Sequence, residues 1–258
     1  MPETRFDYRI EERWIETPGG PIYGLLFTPE GAGASPLIIH SHGLGYSHRT
    51  GEDYARHFAA RGLRVLLYDF RNGGRKSRSG NDLTKMSVAT ERDDLLAVLA
   101  AAKVWPGVSP DRIVLLGASQ GGFVSTMVAA ERPAELAGLI CIYPAYLIRT
   151  ELRNAFDTLE QVPETFDLQG WFMVGRCYAA DAWDVDIYAR MADFPKPVLL
   201  LHGDRDPVVD PAYSRRAAEA FPNAAFYSIP GGAHGFSGAA LEEAIGHIEQ
   251  YLSMLGLL

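Results

Sequence analysis

The chain is poor in cysteine, in long apolar runs and in clustered positive charge. Cys141 and Cys177 are its only thiols and lie far apart in 258 residues. That excludes a disulfide framework and predicts buried free thiols. No stretch approaches the ~20 apolar residues needed to cross a bilayer. The start, Met1-Pro2-Glu3-Thr4-Arg5, has no apolar run behind it, so no signal peptide is read and a cytoplasmic location is expected. With 24 Lys and Arg against 32 Asp and Glu, the formal net charge is −8. Nucleic acid and anionic membranes demand clustered positive charge, so neither is expected as a partner. No His, Cys, Asp or Glu cluster has ligand spacing, so no metal or organic cofactor is expected. Internal repeats, low-complexity tracts and linkers are missing as well.

What is present is an ordinary globular composition, 47% hydrophobic and 22% charged, with enough apolar residues for a sizeable core. Tyr8 to Thr17 alternates like a strand, and Pro18-Gly19-Gly20-Pro21 turns the chain into a second strand at Ile22–Phe27. Strands are then expected at Leu37–Ser41, Arg64–Asp69, Arg112–Gly117, Gly138–Tyr143, Pro197–His202 and Ala224–Ile229. Helices are expected at Glu52–Ala60, Ala89–Val104, Gly121–Glu131, Pro211–Ala220 and, after the last strand, Ala239–Leu252. Glu91, Asp93 and Asp94 suit the positive dipole end of the second helix. Short apolar runs alternating with helices predict a mainly parallel, doubly wound sheet covered on both faces.

One segment breaks the rhythm. Between Pro144 and Pro195, about fifty residues separate two core strands and carry Phe156, Phe166, Trp171, Phe172, Tyr178, Trp183 and Tyr188. Either it is a cap inserted over the strand C-termini, at about 145–195 of a single 1–258 domain, or it is a longer helical connection with its own small core.

The chemistry is concentrated at strand exits. Gly117-Ala118-Ser119-Gln120-Gly121 places a serine between two glycines at a strand-to-helix corner, the context of a nucleophile elbow. A serine hydroxyl is a weak nucleophile at neutral pH. It needs a histidine to take its proton and a carboxylate to fix that histidine's tautomer. In a doubly wound hydrolase sheet the acid and then the histidine follow the serine, each after its own strand. Among seven histidines, His234 lies on a glycine-rich loop leaving the last strand. His40 and His57 read as structural, His247 as a solvated or packing residue, and His202 as a residue that orders the acid loop. For the acid, Asp204, Asp206 and Asp210 all follow one strand, and one of them can cap the helix near Pro211. Spacing does not choose among them. Acyl transfer also needs backbone N–H donors for the developing oxyanion. Gln120 follows the serine, and Leu44 lies in His42-Gly43-Leu44-Gly45-Tyr46 after the third strand, so these two are the expected donors.

These pieces resemble the serine α/β-hydrolase superfamily over nearly the whole chain: His42-Gly43, Gly117 to Gly122, His202 to Val209, and Gly232-Ala233-His234. The resemblance implies an α/β-hydrolase fold with a small cap and maps the acid onto Asp206. More narrowly, the Ser-Gln-Gly-Gly elbow, Gly175-Arg176-Cys177-Tyr178 and Asp186-Ile187-Tyr188 are similar to bacterial cinnamoyl (feruloyl) esterases. That likeness implies a serine carboxylic-ester hydrolase acting on hydroxycinnamate-type esters, with Tyr178 either hydrogen-bonding the ring hydroxyls of the acyl group or packing beneath the cap. Tyr146 to Thr165 departs from the family, and the loop Arg71 to Ser77 is more basic than is usual there. The expected partner is a small-molecule ester, and a homodimer is left open. Two other readings are a peptidase of the prolyl-oligopeptidase type, for whose large extra domain the roughly forty residues before the core leave no room, and a non-catalytic receptor on the same fold.

Overall fold

The computed structural model describes residues 5–168 and 170–258. Met1 to Thr4, part of the stretch read for a signal peptide, lie outside them. The strands are β1 (Tyr8–Ile15), β2 (Ile22–Pro29), β3 (Ser35–Ser41), β4 (Arg64–Tyr68), β5 (Val108–Ala118), β6 (Gly138–Ile142), β7 (Thr165–Leu168), β8 (Phe172–Gly175), β9 (Val198–Gly203) and β10 (Ala224–Ile229). The helices are α1 (Glu52–Ala60), α2 (Val88–Ala102), α3 (Gln120–Glu131), α4 (Ile148–Ala155), α5 (Arg176–Ala182), α6 (Ile187–Met191), α7 (Ala212–Ala220) and α8 (Gly238–Met254).

Eight strands form one sheet in the order β1-β2-β4-β3-β5-β6-β9-β10. The pairs from β4 to β10 are parallel, while β2 is antiparallel to both β1 and β4. Central strands read as unbroken apolar runs because both faces are covered. Along β5, Ile113 and Leu115 join the core beneath α2 and α3, and Val114 and Leu116 join the one beneath α1 and α8. The two edge strands, β1 and β10, keep the partly exposed alternation of a sheet edge. β5 begins four residues before the expected Arg112, because a register irregularity between Ser35 and Leu37 lets Ser35 pair with Val108.

Helix α2 holds Glu91 in its first turn, as expected, while Asp93 and Asp94 fall beyond it. Its start is held by a capping box between Ser87 and Thr90. Glu91 and Asp94, read as dipole partners, are fully buried, and only Asp93 of the three is exposed. Glu91 stands in the buried stripe of Val88, Leu95, Val98 and Ala102. Asp94 accepts from the Arg71 N–H at 2.7 Å and from Arg71 Nε at 2.5 Å.

The insert between β6 and β9 is neither all helix nor featureless. It holds α4, the antiparallel pair β7–β8, α5 and α6. Both cysteines are free, Cys141 buried and Cys177 half-buried. Among the described residues no helix is long and apolar enough to cross a membrane.

His40, in the middle of β3, is 1% exposed, and its Nδ1 has no partner among the described residues. Burial, with a smaller push from His42, brings its pKa down to about 3. The folded value lies below the unfolded ~6.5. This neutral histidine therefore contributes stability in full above that pH and loses it as pH falls towards 3. Relative to wild type, His40→Gln should gain roughly 1 kcal/mol per pH unit in urea unfolding between pH 6 and pH 4. A gap that does not change with pH would show that His40 is protonated in the fold.

Candidate active site

Ser119 stands between the end of β5 and the first turn of α3 at φ 54°, ψ −122°, a region that L-residues occupy only when their surroundings force it. The surroundings do so. The Ser119 N–H donates to the Ile142 carbonyl at 3.0 Å, and its carbonyl accepts from Gly122 and Ala145 at 2.9 and 3.0 Å. The turn closes only with glycines beside it: a Cβ on Gly117 would lie 2.3 Å from the Gly121 carbonyl oxygen, and one on Gly121 2.2 Å from that of Ser41. The hydroxyl is thereby presented at the sheet's C-terminal edge.

There it meets the histidine and acid that the sequence places after β10 and β9. His234 Nε2 is 2.9 Å from Ser119 Oγ, and His234 Nδ1 is 2.8 Å from Asp206 Oδ2. The three carboxylates left open by spacing now separate. Asp204 accepts from the Gly231 N–H, and Asp210 accepts from the Ala212 N–H at the start of α7. Asp206 alone of the three faces the imidazole. Its Oδ1 accepts from the N–H groups of Val208 and Val209 at 2.8 and 3.0 Å. Burial pushes this carboxyl up, but His202, His234 and the two N–H groups outweigh it and hold it well below the usual carboxylate range.

His202 orders the acid loop, as expected. Its Nε2 lies 2.9 Å from the Val209 carbonyl and 3.1 Å from Asp206 Oδ2, while Nδ1 lies 2.7 Å from Ser214 Oγ. A carbonyl can only accept, so Nε2 carries the proton. His57 and His247 stand elsewhere, on Glu249 and against the Tyr227 ring. Tyr143 was not foreseen. At φ 38° its ring packs 4.7 Å from that of His234, and nothing in the sequence pattern marks it.

The loop after β3 approaches the serine closely. A Cβ on Gly43 would come within 3.1 Å of Ser119 Cβ. Buried His42 braces the loop: its Nδ1 lies 2.8 Å from the Gly43 carbonyl, and its Nε2 accepts from the Phe70 N–H. Burial lowers the pKa of this histidine, favouring the neutral ring that both bonds require. The Gly45 N–H is committed to the Gly73 carbonyl. Among the described residues, the N–H groups of Leu44 and Gln120 donate to no other backbone group.

Two cavities meet at Ser119, with Tyr46 and His234 lining both. One, of about 150 Å³, lies under the insert and is lined by Leu44, Ile148, Leu168, Trp171, Phe172 and Glu151 among others. The other, of about 230 Å³, is walled by the core, including His40, Tyr54, Tyr143 and Phe236. Arg75, from the basic loop, stacks 5.5 Å from the Phe172 ring and donates to the Trp171 carbonyl, tying that loop to the hairpin. Tyr178 lines the first cavity but is 2% exposed, and its hydroxyl donates to Gln120 Oε1 at 2.9 Å. Its proton is therefore committed to the protein, and the ring offers a ligand only its face.

Residues 33–172, just over half of the chain, match the family model described as Serine aminopeptidase, S33. The chain belongs to the serine α/β-hydrolases. Residues 170–256 of this hydrolase also match a second model, TAP-like protein. Human monoglyceride lipase is 32% identical over 123 residues, 48% of this chain but only 39% of the lipase. The putative carbamate hydrolase RutD of Caulobacter sp. (strain K31) is 25% identical over 272 residues, covering 91% of this chain and 97% of that protein. Est1E from Butyrivibrio proteoclasticus superposes with a TM-score of 0.83 at 22% identity, over 95% of this chain and 98% of that one. Its ferulic acid complex gives 0.84 at 22% identity, over 94% and 98%. At such identity the structural likeness speaks for the fold.

Proposed function

We propose that this hydrolase is a carboxylic-ester hydrolase working through an acyl-enzyme on Ser119. The observation that carries the reading is the continuous chain from Ser119 Oγ through His234 to Asp206, with spacings of 2.9 and 2.8 Å, at the base of an apolar cavity. His234 takes the serine proton as Oγ attacks the ester carbonyl, and Asp206 fixes the tautomer and stabilises the imidazolium. The N–H groups of Leu44 and Gln120 receive the oxyanion. His234 then protonates the departing alcohol and activates the water that frees the acid. In this reading residues 145–195 are a cap on a single domain, and the cavity beneath them takes the acyl group.

A hydroxycinnamate-type acyl group is the finer proposal. Its supports are the aromatic and aliphatic lining and the likeness to a fold neighbour solved with ferulic acid. A panel of p-nitrophenyl acetate, short alkyl esters and methyl ferulate, ranked by kcat/KM, tests it. Methyl ferulate should lead the alkyl esters by at least about tenfold, roughly 1.4 kcal/mol of preferential transition-state binding. Alkyl esters leading would remove the finer reading and leave the hydrolase. The peptidase model matched by residues 33–172 favours a second reading. Peptide anilides run in the same panel test it, and turnover matching that of the aryl esters would support it.

A further inference from the structure

Behind Ser119 runs a buried polar chain that the reaction just described does not use. Tyr178, from α5 in the insert, donates to Gln120 Oε1 at 2.9 Å. Gln120 Nε2 donates in turn to Glu91 Oε2 at 2.8 Å and to Met86 Sδ at 3.3 Å. Every polar atom of the Gln120 side chain is therefore held, although this residue is the first of α3 and follows the strained serine directly. Glu91 is fully buried, and its Oε1 has no partner among the described residues. That oxygen lies under the loop of the other expected oxyanion donor. A Cβ on Gly73 would stand 3.0 Å from it, and the Gly73 carbonyl holds the Gly45 N–H next to Leu44.

A buried carboxyl with one unpartnered oxygen destabilises a fold relative to an apolar side chain of similar volume. Its place in the apolar stripe of α2 thus calls for a reason other than packing. Burial pushes the carboxyl well above its usual range, against the pull of the Gln120 amide, and Asp94 adds to the push. A glutamine in its place keeps an oxygen that can accept from Gln120 Nε2 as Glu91 Oε2 does.

We propose that Glu91 and Tyr178 are positioning residues that clamp the Gln120 side chain from both ends, fixing its backbone N–H on the developing oxyanion and tying the oxyanion site to the insert. This rests on the acyl-enzyme reading above. A donor held by its side chain needs no reorganisation as charge develops. Tyr178 comes from the wall of the acyl cavity, so seating of the insert and alignment of the donor become one event.

The test uses Tyr178→Phe, which removes only a hydroxyl, together with Glu91→Leu and Glu91→Gln. In Tyr178→Phe and Glu91→Leu, kcat for p-nitrophenyl acetate should fall about tenfold or more, a part of the ~100-fold that a whole oxyanion donor is worth, with KM within about threefold. A trifluoromethyl ketone, which forms an oxyanion on the serine, should weaken in step with kcat. Glu91→Gln keeps the acceptor for Gln120 and should stay within about threefold of wild type. The inference is overturned if Tyr178→Phe changes KM alone, if ketone affinity holds while kcat falls, or if Glu91→Gln is as impaired as Glu91→Leu. Thermal melts of each variant separate loss of folded enzyme from loss of rate, and Tyr178→Phe decides the matter should Glu91→Leu not fold. Failure of the acyl-enzyme reading looks different: the wild-type protein would then show no time-dependent labelling by a fluorophosphonate.

Discussion

Ser119→Ala is expected to lower ester turnover by at least about four orders of magnitude while leaving a folded protein, as loss of a triad nucleophile does elsewhere. The change removes the one atom lying 2.9 Å from His234 Nε2 and touches none of the backbone bonds that hold the elbow. What survives is the environment, including the Leu44 and Gln120 N–H groups and the apolar cavity, so substrate still binds and KM should change little. The strained backbone supplies a control. At φ 54° an alanine is as strained as the serine, whereas Ser119→Gly should melt higher than Ser119→Ala, reflecting roughly 1 kcal/mol of relieved strain. Activity of Ser119→Ala within tenfold of wild type would take the nucleophile away from this residue. Equal melting of the alanine and glycine variants would show that the elbow is not strained.

The order of strands and helices could be read from the chain because it rests on period and punctuation. Apolar runs as short as Gly138–Ile142 are bounded by glycine and proline, and a sheet buried on both faces writes itself as such runs. Ser119 and His234 were legible for the same reason, each being fixed by its place after a strand. Asp206 was not separable from Asp204 and Asp210 by spacing. The distinction lies in which carboxylate the loop turns towards His234, and that is set by Val208, Val209 and His202 acting together. Tyr178 was placed at the cavity, but the direction of its hydroxyl depends on Gln120, a partner 58 residues away. Glu91 did leave a signal: it falls on the 88, 91, 95, 98, 102 stripe of α2, where only apolar residues are expected. The hairpin β7–β8 left almost none, since two four-residue strands carry too little alternation to stand out.

The second large effect should come from Asp206→Asn, a change of one atom. Oδ1 of Asp206 accepts two backbone N–H bonds and Oδ2 faces His234 and His202. An asparagine keeps its oxygen on the two N–H groups and so turns its NH2 towards the two imidazoles. His202 Nε2 already carries a proton for the Val209 carbonyl, and a second donor now opposes it. His234 must offer Nδ1 as an acceptor, which moves its proton to Nε2, where it can no longer take one from Ser119. The expected loss is about 10⁴ in kcat, as for the equivalent change in other triads. Asp204→Asn and Asp210→Asn should remain within a few-fold of wild type, since each carboxylate accepts only a loop or helix-start N–H that an amide oxygen can also take. The carboxyl of Asp206 is held well below its usual range. It therefore contributes stability in full above the unfolded value of ~3.9, and loses it as pH falls further. Asp206→Asn should accordingly be less stable than wild type at pH 7 by about 1–3 kcal/mol, with the gap narrowing in acid below pH 4. Parallel losses of activity in Asp204→Asn and Asp206→Asn would mean that the loop as a whole, and not the tautomer of His234, sets the rate.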